Sequence, residues 1–220
     1  MRFNDLVEAI DTEDVLRLAL LVKSADQVHL SQALLYACDS DKNPDPAHIV
    51  TILLDHGANI RIADGGPYPL LHLVCNQGYT QCAEVLMKRG ADVNTVGYND
   101  WTALHVACDA GQSECTNLLT RHGANVQARD KDNKTPLHSA SVRGDLGSSK
   151  ILIGYGTDIN AVDNLGRTPL HYVSIGGHTT CASLLLNTNA DTSVKDRYGD
   201  TALDLARKHK RTEVIRLLWQ

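Results

Sequence analysis

Aromatic side chains are scarce: one Phe, two Trp and seven Tyr among 220 residues, 5% of the sequence. The position of each one is therefore informative, and Tyr98 and Trp101 stand together in the polar stretch VGYNDWTALHVAC, Val96 to Cys108. Long apolar runs are also missing. None approaches the ~18 residues of a membrane-spanning helix. The apolar stretch VLRLALLV is preceded by Asp11, Glu13 and Asp14, not by the positive charge of a signal peptide. Membrane insertion is not expected, and the expected compartment is the cytoplasm, with the nucleus second. A net charge of -5 argues against nucleic acid as the default partner. No Ser–His–Asp order, phosphate-binding glycine loop or paired carboxylate site emerges. The chain is expected not to be an enzyme and to need no cofactor.

The sequence does repeat. The segments PLLHLVC, TALHVAC, TPLHSAS, TPLHYVS and TALDLAR place His72, His105, His138, His171 and Asp204 at steps of 33 residues. Gly57, Gly90, Gly123, Gly156 and Asn189 keep the same step, and so do Gly78, Gly111, Gly144, Gly177 and Lys210. Three series in phase point to a solenoid. Within a unit, Thr135 and Thr168 are helix N-cap types, followed by Pro136 and Pro169 at the first helical position. A short first helix runs to the second glycine series. The second helix carries the pairs Ile52-Leu53, Val85-Leu86, Leu118-Leu119, Ile151-Leu152, Leu184-Leu185 and Leu217-Leu218. The first glycine series ends that helix in a left-handed conformation, which Asn189 also tolerates.

The TPLHSA, TPLHYV and TALHVA segments, the GADVN and GTDIN segments and the 33-residue step resemble the ankyrin repeat family over roughly residues 31–220. The resemblance implies an all-α repeat solenoid of stacked helix pairs joined by β-hairpin-like loops. In that frame residues 1–30 form a degenerate N-terminal cap. Repeats then span 31–66, 67–99, 100–132, 133–165 and 166–198, with a capping repeat at 199–220, all in one continuous domain. The last unit ends before its glycine position and carries Arg207, Lys208, Lys210, Arg211 and Arg216 on the expected outer face. The first unit is longer than the others, and the excess falls in DSDKNPDPAH.

Six Cys and ten His raise a metal hypothesis, which the spacing answers. Cys75 and Cys108, and Cys82 and Cys115, differ by the repeat period, and Cys181 lies two periods beyond Cys115. Small buried positions explain this, and no close CxxC pair supports zinc. The resemblance implies that the repeated His hydrogen-bond the backbone of neighbouring loops. Asp39, Asp41, Asn43 and Asp45 alternate as in a calcium loop, but Pro44 stands where a Gly must turn and Val50 where a Glu must ligate. No metal is expected.

Tyr68, Trp101, Lys134, Arg167 and Asp200 share one frame position, just before the Thr of each unit. Tyr98, Lys131, Asn164 and Arg197 share another, beside Tyr198. The resemblance places these at loop tips, which with the ends of the first helices form a concave ligand face. Helix-end members include Asn76, Gln77, Asp109, Val142, Arg143 and Ile175. Candidate partner-binding residues are Tyr68, Tyr98, Trp101, Asp109, Lys131, Lys134, Arg143, Arg167, Arg197 and Tyr198. Two uses of Trp101 stay open: contact with a partner, or packing on adjacent loops. Net charge runs from -6 over residues 1–66 to -2 over 67–132 and +3 over 133–220. An aromatic centre with a basic C-terminal side suits an acidic or C-terminal peptide segment.

The expected function is a non-catalytic interaction module, an adaptor, scaffold or inhibitor that is monomeric by itself. The alternative is a regulatory subunit or modification target. LIGYGTDINA around Asn160 and LMKRGADVNT around Asn94 resemble segments that asparaginyl hydroxylases modify, and Asn94 departs at Thr95. One unit stands out for stability. Gly147 reads as a helix-interior defect worth about 1 kcal/mol relative to Ala, and Ser148 replaces the Cys of Cys82, Cys115 and Cys181. The unit at 133–165 is therefore expected to be the softest interior repeat.

Overall fold

The structure is a computed structural model and describes residues 3–39, 46–62 and 69–219. Among them it contains fourteen α-helices and no β-strand. None of these helices is long and apolar enough to cross a membrane. The chain divides into two compact units, Met1–Tyr98 and Asn99–Gln220.

The first unit holds α1 (Phe3–Asp11), α2 (Val15–Leu21), α3 (Gln27–Asp39), α4 (Ala47–Asp55), α5 (Leu70–Gln77) and α6 (Thr80–Lys88). Helix α1 packs on α2 and α3, α3 on α4 and α5, and α6 on α4 and α5. Helix α3 begins inside the segment read from sequence as a cap. The expected extra loop lies mostly outside the described residues, as do Asp41, Asn43 and Asp45 of the acidic stretch.

The second unit holds α7 (Ala103–Ala110), α8 (Ser113–Arg121), α9 (Pro136–Arg143), α10 (Leu146–Gly154), α11 (Pro169–Gly176), α12 (Thr179–Asn187), α13 (Ala202–Lys208) and α14 (Thr212–Leu218). The odd-numbered helices stack as an inner row and the even-numbered ones as an outer row, each inner helix packing on the outer helix that follows it. This is the arrangement the repeat implies. One member of each of the first five apolar pairs faces inward: Leu53, Leu86, Leu119 and Leu152 are fully buried, and Leu185 is 1% exposed. Burial of such a side chain is worth about 2 kcal/mol. Leu218, their equivalent in α14, is only half-buried.

The helix ends follow the residues that cap them. Thr102, Thr135, Thr168 and Thr201 sit in extended backbone at the N-caps of the inner helices. Gly111, Gly144 and Gly177 end three of those helices at φ between 75° and 80°. Asn189 and Lys210 take the same left-handed turn at φ 66° and 57° without being glycine.

The two grounds on which the unit at 133–165 is expected to be soft, Gly147 and Ser148, look different in their contacts. Ser148 Oγ lies 2.8 Å from Thr116 Oγ1, so the buried hydroxyl is paired. Asp145 caps α10 by accepting from the backbone N–H of Gly147 and Ser148. A Cβ on Gly147 would stand 2.8 Å from Ser113 Cβ. Gly147 is thus required by the close approach of α8, and is not a defect in an otherwise ordinary helix.

Candidate partner-binding face

The loop tips of the second unit are built on three aspartates. Asp130, Asp163 and Asp196 keep the 33-residue step and are 7%, 5% and 5% exposed. In each, Oδ1 accepts two backbone N–H bonds from its own turn: from Asp132 and Lys134, from Leu165 and Arg167, and from Tyr198 and Asp200. The turn is closed by backbone bonds from Asp130 to Lys134, Asp163 to Arg167 and Asp196 to Asp200 at 2.9–3.0 Å. The loops are therefore hairpin-like turns and not a sheet. Neighbouring tips are joined directly, as Lys131 N–H donates to Asn99 O, Asn164 to Asp132 O and Arg197 to Leu165 O.

The second oxygen of each aspartate takes a side chain. Trp101 Nε1 donates to Asp130 Oδ2 at 3.1 Å, Tyr172 Oη to Asp163 Oδ2 at 2.5 Å, and Arg167 Nε to Asp196 Oδ2 at 3.1 Å. Trp101 is half-buried, and its ring stacks on His105 at 6.2 Å. Burial and the neighbouring Asp163 hold the Tyr172 phenol well above its usual range. Beneath the tips, the repeated histidines link consecutive units. Nδ1 of His105, His138 and His171 accepts the backbone N–H of the capping Thr. Nε2 then carries the proton and donates to Lys134 O, Arg167 O and Asp200 O at 3.1, 3.0 and 3.3 Å. Asp204 takes the same place, and its carboxylate accepts from Thr201 N–H and hydroxyl.

These bonds sort the residues singled out from the sequence. Trp101 and Arg167 have structural work within the tips. Lys134 is half-buried, with Nζ 5.3 Å from the Tyr172 ring. Lys131, Arg143, Arg197 and Tyr198 are exposed. Burial raises the Asp109 carboxyl, against the pull of Arg143 and Lys134. Tyr98 belongs to the first unit, where it is 61% exposed. Tyr68 lies outside the described residues. Asn94 and Asn160 are both exposed, and Asn160 Oδ1 accepts from Asp191 N–H at 2.8 Å. All six cysteines are buried and none is in a disulfide, and burial pushes the Cys108 thiol up to about 12. Tyr172 has no repeated counterpart, since Val106 and Ser139 hold its frame position. The aspartate series, by contrast, is visible in the sequence as a further 33-residue step.

Stacked helix pairs, glycine-ended helices and a histidine ladder tying one loop to the next define a helical repeat solenoid. The family model described as "Ankyrin repeats (3 copies)" matches residues 70–163 and 144–220. The chain belongs to the ankyrin repeat family. Among curated proteins none matches it. Ankyrin repeats are in general protein–protein interaction modules.

Proposed function

We propose that the chain is a non-catalytic interaction module, acting as a monomer, whose second unit grips a partner protein through its tips and inner-helix ends. The observation that carries this is the division of labour at the tips. Trp101, Tyr172 and Arg167 satisfy buried carboxylates, which makes the tips rigid. Lys134, Arg143, Arg197 and Tyr198 remain at the surface of that rigid frame. A preordered surface loses little conformational freedom on binding. Its charge favours an acidic segment, internal or C-terminal.

The test is affinity capture with the wild-type chain and with a Lys134→Glu, Arg143→Glu, Arg197→Glu variant, alongside circular dichroism of both. Partners retained by the first and lost from the folded variant support the reading. An identical set on both would defeat it.

A second reading is modification at Asn160. It is favoured by the exposure of that side chain and by the small Ala161 that follows, where Asn94 has Thr95. Incubation with an asparaginyl hydroxylase and mass spectrometry decides. Oxidation at Asn94 with Asn160 untouched would count against it.

A further inference from the structure

Val142 and Ile175 hold the same place on the neighbouring inner helices α9 and α11. Val142 is 45% exposed and Ile175 is half-buried. Both thus keep part of an apolar side chain uncovered on consecutive repeats. Their backbone is fixed from the next repeat in each case. His178 Nε2 donates to Val142 O at 3.1 Å, and Arg211 Nε donates to Ile175 O at 2.8 Å. Glycine at 176 leaves room for the His178 ring to reach that carbonyl, since a Cβ there would come within 2.3 Å of His178 Nε2. The two residues thus stand on neighbouring helices, each with its carbonyl held from the following repeat.

Cations border the pair. Arg143 follows Val142 and is exposed. Tyr172, three residues before Ile175 and so on the same helix face, carries Lys134 Nζ 5.3 Å from its ring centroid. In the same row, Asp109 lies one repeat before Val142, and Lys208 one repeat after Ile175, bound to Asp200 at 2.5 Å. The open pair therefore has the cations Arg143 and Lys134 beside it, and the exposed Asp109 carboxylate one repeat before Val142.

The repeat spacing limits what fits. Packed helices lie about 8–10 Å apart. A polyproline II segment rises about 3.1 Å per residue with three residues per turn, so its residues i and i+3 share one face about 9 Å apart. A β-strand puts those two residues on opposite faces. We infer that the second unit takes an extended, polyproline II-like acidic segment of a partner protein. Two bulky apolar residues three apart rest on Val142 and Ile175, and neighbouring carboxylates pair with Lys134 and Arg143. The inference rests on the docking face proposed above and adds the form and spacing of its ligand.

Two labelled dodecapeptides of identical composition test it, both made of glutamate, proline and two leucines. One has its leucines three residues apart and the other has them adjacent. Fluorescence anisotropy with the full chain should show the spaced peptide binding on the order of tenfold more tightly. Val142→Asp, a change at an exposed site, should remove that advantage, while Arg143→Glu should weaken both peptides, each variant being checked for folding by circular dichroism. Equal binding of the two peptides, with both weakened by Arg143→Glu, would overturn the apolar spacing and leave the docking face standing. Binding indifferent to Lys134→Glu and Arg143→Glu would overturn both. Failure of either peptide to bind at millimolar concentration would overturn the inferred ligand.

Discussion

Trp101 and Asp130 are joined by a 3.1 Å hydrogen bond from the indole Nε1 to Oδ2, linking one loop tip to the next. The bond changes what the most conspicuous aromatic in the sequence is for. Asp130 is 7% exposed, and its other oxygen is already occupied by its own turn. Trp101→Phe keeps a ring to stack on His105 but leaves Oδ2 without a donor. The expected loss is about 1–3 kcal/mol of unfolding free energy, the cost of a buried polar group left unpaired. Urea denaturation followed by circular dichroism measures it. An unchanged midpoint would show that Trp101 contributes nothing to the frame and is free to serve a partner alone.

What the sequence reveals here is what it repeats. The His, Gly, Thr and Cys positions recur at the period, and each recurrence marks a backbone or core requirement that every unit shares. Asp130, Asp163 and Asp196 recur too, but the series breaks at Gly97, and an Asp in a turn reads as ordinary turn chemistry. Features that occur once are hidden. Tyr172 donates to Asp163 while Lys134 and Arg167 lie beside its ring, a grouping found in no other unit's frame position. Gly147 looks like a helix weakness until Ser113, on the previous outer helix, is placed against it. Among the candidate binding residues, phase alone put Trp101, Lys134 and Arg167 in one class. The hydrogen bonds separate them.

Gly147→Ala is expected to destabilise the protein. Helix propensity alone would favour Ala by about 1 kcal/mol. The added Cβ, however, meets Ser113 Cβ at 2.8 Å, and overpacking of that kind costs about 1–3 kcal/mol. A Gly147→Ala, Ser113→Gly double variant should recover the loss, because it reopens the space. Both are read from urea midpoints. A rise in stability for the single variant would mean that α8 and α10 can part at little cost.

Ser141 and Ser174 occupy the frame position of Cys75 and Cys108. Both are fully buried, and neither Oγ has a hydrogen-bond partner. Restoring the cysteine of the earlier repeats replaces an unpaired hydroxyl by a small hydrophobe of similar shape. Ser174→Cys should raise stability by about 1 kcal/mol, and Ser141→Cys should act in the same direction. Calorimetry under reducing conditions is the check. A lower melting temperature for both would show that the hydroxyls are satisfied in solution.

The histidine ladder makes stability depend on pH, with a definite sign. In His138, Nδ1 accepts Thr135 N–H at 3.0 Å and Nε2 donates to Arg167 O at 3.0 Å. The bond accepted by Nδ1 needs the neutral ring, whereas the one donated by Nε2 survives protonation. A proton on Nδ1 would face the Thr135 N–H it now accepts. Burial pushes the ring down to about 4 from an ordinary value of 6.5, and burial lowers His171 as well. The unfolded chain therefore binds more protons than the folded one between those limits, so stability rises with pH there. The contribution of His138 is fully present above about pH 6.5 and is lost as pH falls from 6.5 towards 4. It is on the order of 3 kcal/mol in all. Urea denaturation at half-unit steps from pH 7.5 to pH 4.5 should show a continuous fall. His138→Gln should lower stability at pH 7.5 and flatten the slope by about one proton. Equal stability at pH 7 and pH 5 would mean that the rings accept protons without breaking the ladder.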